Sequence, residues 1–104
     1  MERVGFTMRV RPGQETEYRR RHASVWPEML QALKAAGCRD YTIFLRGDDL
    51  FAYLEVEDFA SFRAMMAASP VDARWQAEMA ALIDPLTDPA TGFHQRLEEI
   101  FHLD

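Results

Sequence analysis

Residues 3–11, R-V-G-F-T-M-R-V-R, alternate strictly, with Val4, Phe6, Met8 and Val10 on one side and Arg3, Thr7, Arg9 and Arg11 on the other. Side chains in an extended chain point to opposite faces with a period of two, so this stretch predicts a half-buried strand. Pro12-Gly13 ends it, and a helix is predicted from Gln14 to about His22. A second helix is predicted from Ser24, a good N-cap, to Ala36, with Gly37 stopping it and Pro27 in its first turn. The break falls at Ala23–Ser24, so His22 closes one helix and Trp26 opens the next. Residues 39–46, R-D-Y-T-I-F-L-R, read as a second strand with Tyr41, Ile43 and Leu45 on one face. Gly47-Asp48-Asp49 is a tight turn into a third strand, L-F-A-Y-L-E-V-E, at 50–57. Asp58 to Ala68 carries Phe59, Phe62, Met65 and Met66 at helical spacing, and Ser69-Pro70 restarts a helix with Val71, Trp75, Met79 and Leu82. Residues 84–93, with two prolines and a glycine, read as a long loop. Residues 95–103, Q-R-L-E-E-I-F-H-L, form a last strand of weaker pattern, with a helix as the alternative.

Strand, helix, strand, strand, helix, strand is the order of the ferredoxin-like split βαβ arrangement, an α+β fold with one antiparallel sheet and helices on one face. The chain, residues 1–104, is expected to form one such domain. Tyr41, Ile43, Leu45, Leu50, Ala52 and Leu54 are expected under the helices. The other face is not wholly polar, because Phe44, Phe51 and Tyr53 fall on it. An exposed aromatic patch on an open sheet marks a partner, and a homodimer joined through the sheet faces is expected.

Composition narrows the function classes. Hydrophobic residues at 48% and charged residues at 28% are ordinary globular values. A net charge of −5 suits neither phosphate neutralisation nor nucleic-acid binding. The basic run Arg19-Arg20-Arg21 sits among acidic residues and reads as a solvated face. No stretch approaches the twenty apolar residues a membrane span needs, and no leader pattern opens the chain. The lone Cys38 permits no internal disulfide, which fits a cytoplasmic protein. His94 and His102 have no ligand spacing to His22, so no metal site is expected. No glycine-rich phosphate loop or nucleophile elbow is present.

The chemistry concentrates near E-Y-R-R-R-H-A-S-V-W-P-E, residues 17–28. On a helix Tyr18 and His22 lie four residues apart and share a face, which Val25, Met29 and Leu33 continue as an apolar stripe. Tyr18, His22, Trp26, Tyr41 and Trp75 are all placed on the helix-covered side of the sheet. Each singly is an ordinary core residue. Together they describe an apolar pocket with a few hydrogen-bonding groups, a form that suits a small molecule and, with aromatic faces, a sugar.

Those residues carry a resemblance. Y-R-R-R-H-x-x-V-W-P-E (18–28), D-Y-T-I-F-L (40–45), L-F-A (50–52), Arg74-Trp75 and the closing L-x-x-I-F-H-L (97–103) resemble the L-rhamnose mutarotases over nearly the whole chain. The resemblance implies a dimeric ferredoxin-like α/β-barrel that interconverts the α and β anomers of L-rhamnose without a cofactor, with His22 as the acid and Tyr18, Tyr41 and Trp75 as sugar contacts. Trp26 or Trp75 would wall the sugar's methyl group. The family's Trp-Trp pair is Trp75-Gln76 here, and its Asn-Pro-Asp-Asn-Ser loop is Asp88-Pro89-Ala90-Thr91-Gly92, which makes Gln76 a candidate for altered hydroxyl reading and L-fucose a competing substrate. Two other classes remain open on this reading: a monooxygenase of the same dimeric barrel type, and a non-catalytic ligand-binding dimer.

Overall fold

The computed structural model describes all residues 1–104. It contains strand β1 (Glu2–Val10), helices α1 (Glu15–His22) and α2 (Pro27–Ala35), strands β2 (Arg39–Arg46) and β3 (Asp49–Val56), helices α3 (Phe59–Ala67) and α4 (Pro70–Met79), and short strands β4 (Ile83–Asp84) and β5 (Gln95–Leu97). The sheet runs β2-β3-β1-β4, with β5 also on β1, and every pairing is antiparallel. β3 therefore lies between β1 and β2, which is the expected split βαβ order.

The alternation in β1 decides the core. Val4, Phe6, Met8 and Val10 are buried, and opposite them Leu50, Ala52, Leu54 and Val56 of β3 are buried too. Tyr18, Met29, Phe62, Met66, Trp75 and Met79 from the helices close over this face. Register is pinned because a one-residue slip of either strand would turn its four inward side chains into water. The opposite face carries Phe44, 62% exposed, directly across from Phe51, 40% exposed.

Several boundaries differ from the sequence reading, among them α4, which ends at Met79 and leaves Leu82 in the turn before β4. α2 starts at Pro27, not Ser24, with Trp26 at its N-cap in an extended conformation (φ −55°, ψ 133°). Proline disfavours helical backbone in the residue before it, so Trp26 cannot belong to the helix and Ser24 is left in the connection. The loop expected at 84–93 begins with β4, where Val10 pairs with Ile83 and Arg9 with Asp84. The last strand is confined to Gln95–Leu97. Gly5 pairs with Leu97, so the same register would set Arg3 against Glu99 and Met1 against Phe101, where β1 has run out. Arg3 and Glu99 meet instead through their side chains, at 2.7 and 3.0 Å. Beyond them Ile100, Phe101 and Leu103 stand 88%, 79% and 79% exposed.

Candidate active site

α1 is a short helix held by its own charges. The Glu17 carboxylate accepts from Arg20 and, at 2.6 Å, from Arg21. Those two guanidinium groups hold it down at about 2. Arg21 reaches on to Glu78 of α4 at 3.0 Å. The basic run is thus only partly the solvated face expected of it, since Arg21 ties the helix carrying His22 to the helix carrying Trp75.

His22 is the last residue of α1. Its Nδ1 lies 2.9 Å from the Tyr18 carbonyl oxygen. A carbonyl only accepts, so Nδ1 carries the proton and Nε2 is the free nitrogen. The Tyr18 ring stacks on the imidazole, centroids 4.1 Å apart, and the Trp75 ring meets it edge-on at 5.5 Å. Burial lowers the His22 pKa, opposed by the bond to Tyr18. The imidazole is consequently fixed in tautomer and orientation, and neutral near pH 7.

His22 opens onto a cavity of about 580 Å³ beneath the sheet, a size common for small-ligand sites. Its walls are mainly apolar: Val25, Met29, Leu30 and Leu33 from the α2 side, Ile43 and Leu54 from the sheet, Phe62 and Met66 from α3. Tyr41, Trp75 and Gln76 also line it. The pairing of β2 with β3 slips between Arg39 and Thr42, and Asp40 there adopts a left-handed conformation, φ 51°. An irregularity of this kind re-aims neighbouring side chains, and Tyr41 stands within it, 38% exposed toward the cavity. Burial among its neighbours raises the Tyr41 phenol, with further contributions from Tyr18, Cys38 and Asp72.

Tyr18 and Trp26 stand one layer behind these walls. Tyr18 is 5% exposed and burial pushes its phenol up to about 12. Trp26 packs edge-on against Trp75, centroids 5.1 Å apart. The Tyr18 hydroxyl bonds no other group of the protein, yet no buried side-chain oxygen or nitrogen lacks a partner, so its tip reaches accessible space.

Arg63, Asp72, Phe93 and His94 also line the wall, although the sequence marks none of them as a substrate contact. The loop explains two of them. Asp88 N–H donates to Phe93 O at 2.6 Å, the Asp88 carbonyl accepts from Gly92 N–H at 2.8 Å, and Thr91 O accepts from Arg63 at 3.0 Å. The folded loop presses Phe93 and His94 inward, where His94 stacks on Phe6 at 4.8 Å and donates from Nδ1 to Pro85 O at 2.7 Å. No spacing rule in a loop predicts this. Asp72 was readable, because it lies three residues before Trp75 on one helical face. No group of three or more His, Cys, Asp or Glu is placed to hold a metal ion.

The L-rhamnose mutarotase family profile matches residues 3–103. The chain belongs to the L-rhamnose mutarotase family. Family members named L-rhamnose mutarotase include those of Burkholderia ambifaria, 43% identical, and Burkholderia orbicola, 42% identical, each match covering the full length of both chains. The Listeria monocytogenes member is 41% identical over 99% of both. The crystal structure of the Formosa agariphila L-rhamnose mutarotase superposes with a TM-score of 0.81 at 30% identity, again over the whole of both chains. The fold and the reaction class read from the sequence are those of this family, an isomerase family.

Proposed function

We propose that this protein interconverts the α and β anomers of L-rhamnose, with His22 as the acid toward the ring oxygen. The observation that carries the reading is the His22 Nδ1 bond to Tyr18 O, at 2.9 Å, in the wall of a largely apolar cavity. It leaves one nitrogen, of fixed direction, to exchange a proton with the ligand. Ring opening needs a proton delivered to the ring oxygen as the anomeric hydroxyl gives one up, and closure on the other face reverses both transfers. Burial lowers the imidazole pKa, which makes the imidazolium the stronger acid when it forms. Trp75 supplies an apolar wall for the methyl group of a 6-deoxy sugar, and Tyr41 and Gln76 supply polar contacts for hydroxyls. Tyr18 orients His22 by stacking and through its carbonyl, and its unbonded hydroxyl is a further contact for the sugar. Trp26 holds Trp75 in place rather than meeting the sugar.

Gln76 and the 88–92 loop favour L-fucose as the competing substrate. Saturation-transfer NMR on the anomeric protons, run with both sugars in parallel, tests the assignment. Faster exchange with L-rhamnose supports it, the reverse ratio moves the assignment to L-fucose, and no exchange with either removes the enzymatic reading. We further place the protein in the cytoplasm, as a homodimer joined through the sheet faces. No helix is long and apolar enough to cross a membrane. The Phe44–Phe51 pair and Leu97, 47% exposed, give that face an apolar centre. Replacing Phe44 with Glu should shift sedimentation from dimer to monomer, and a wild-type chain that sediments as a monomer would refute the arrangement.

A further inference from the structure

The reaction needs a second group, one that takes the proton from the anomeric hydroxyl. From the placement of Asp72 in the cavity wall, we propose that its carboxylate is this base, working opposite His22. The inference rests on the mutarotase reading above.

Asp72 is the one carboxylate in the wall. It lies three residues before Trp75 and four before Gln76, so all three occupy one face of α4, and the Trp75 ring touches His22. Its position in the first turn of α4 has an ordinary explanation, a capping role, which the bonding does not support. Ser69 caps the helix by accepting from Asp72 N–H at 3.3 Å, while Ser69 N–H donates to Met66 O and not back to the Asp72 side chain. The Asp72 carboxylate instead accepts from Gln76 Nε2 through Oδ1 at 3.1 Å, and its Oδ2 makes no bond within the protein. Gln76 thus holds the carboxylate at one oxygen and leaves the other free. That gives the departure from the Trp-Trp pattern a role. The ionisable groups sharing the cavity are His22 from α1, Tyr41 from β2, Arg63 from α3 and His94 from the loop. Arg63 is engaged with Thr91 O. Desolvation raises the Asp72 carboxyl above its ordinary 3.8, against the opposing effect of the Gln76 bond.

The transfers balance. His22 gives its Nε2 proton to the ring oxygen as the bond from that oxygen to the anomeric carbon breaks, its electron pair remaining on oxygen. The anomeric hydroxyl loses its proton to Asp72, and that O–H pair becomes the second bond of the aldehyde carbonyl. After rotation the new hydroxyl returns its proton to His22, and Asp72 protonates the carbonyl oxygen as the ring closes. No proton is gained or lost.

The active pair holds one proton, so kcat/KM should be bell-shaped in pH. Its acid limb should lie above 3.8, from Asp72, and its alkaline limb below 6.5, from His22. Asp72→Asn, which keeps an oxygen for Gln76, should lower kcat for L-rhamnose anomer exchange by about 10²-fold or more, move KM by less than about threefold, and abolish the acid limb. Asp72→Glu should recover part of kcat and restore that limb. An Asp72→Asn enzyme with wild-type kcat, or one changed only in KM, would overturn the proposal. So would loss of the acid limb in His94→Gln with the limb intact in Asp72→Asn. The wild-type profile is an independent check should a variant not fold, since a rate flat from pH 4 to 6 also rules out the assignment. A wild type inactive on L-rhamnose and L-fucose defeats the mutarotase reading and this base together, whereas an active wild type with an unimpaired Asp72→Asn defeats the base alone.

Discussion

Tyr18 offers a test in which stability and activity should separate. Its ring is buried and stacked on His22 at 4.1 Å, but its hydroxyl bonds nothing else in the protein. Tyr18→Phe therefore deletes no intramolecular bond and opens no cavity, and unfolding free energy should change by less than about 0.5 kcal/mol. If the hydroxyl meets the sugar, one neutral hydrogen bond worth about 0.5–1.5 kcal/mol is lost, and kcat/KM should fall by roughly 2- to 12-fold. Tyr18→Ala is the contrast. Removing a buried aromatic ring costs about 3–5 kcal/mol, and it also frees the imidazole on its stacked side. Urea unfolding gives the first quantity and NMR anomer exchange the second. A Phe variant destabilised by more than about 2 kcal/mol would mean that the hydroxyl has a structural partner in solution. A Phe variant of undiminished activity would show that Tyr18 contributes only its ring and its carbonyl.

His22→Gln should reduce anomer exchange by about 10²-fold or more, with the unfolding midpoint nearly unchanged, because the side chain is only half-buried and its one bond runs to a backbone oxygen already in a helix. Gly37 follows α2 with φ 86° and has no atom within 4 Å of where a Cβ would stand. Gly37→Ala should then cost about 1–2 kcal/mol from backbone conformation alone, measured by urea unfolding, with unchanged specific activity. Glu17 falls from its ordinary 4.5 to about 2 in the folded protein through Arg20 and Arg21. A carboxylate depressed on folding stabilises the protein above its unfolded pKa and loses that contribution as pH falls through the folded one. Wild type should accordingly lose more stability between pH 4.5 and 2 than Glu17→Gln, by acid titration of the unfolding midpoint; equal losses would show that the ion pairs do not persist in solution.

The fold was legible where one pattern controlled the outcome. Alternation in β1 and β3 corresponds residue by residue with the buried set, because the pleat admits only two faces. Legibility failed where the result depended on a partner strand. Residues 95–103 have the composition of a strand throughout, yet only Gln95–Leu97 pair with β1, and beyond them Glu99 meets Arg3 of β1 through its side chain and not through the backbone. A strand's length belongs to its neighbour as much as to itself. β4 was hidden for the same reason, since its two residues carry no period of their own.

The site divides along similar lines. Residues that share a helical face could be read together, as with Tyr18 and His22 or Asp72, Trp75 and Gln76, because 3.6 residues per turn fixes their relation without tertiary knowledge. Phe93 and His94 could not, since their inward aim depends on Asp88 and Thr91 bonding within the loop and to α3. Nor could any sequence pattern distinguish the two imidazole nitrogens of His22. Four-residue spacing puts the ring above the Tyr18 carbonyl, and the 2.9 Å contact then commits Nδ1 to donation. On the proposed mechanism, proton transfer then runs through Nε2. His94 shows the limit of that argument, for it ties Nδ1 to the Pro85 carbonyl in the same cavity. What separates the two is what lies around them: His22 stands against Trp75, on the helix face that also carries Asp72, whereas His94 is stacked on Phe6 beside Phe93 and Arg63. If Asp72 is the base, as proposed, its place on the α4 face beside Trp75, the ring that meets His22, favours His22 over His94 as the acid it works with.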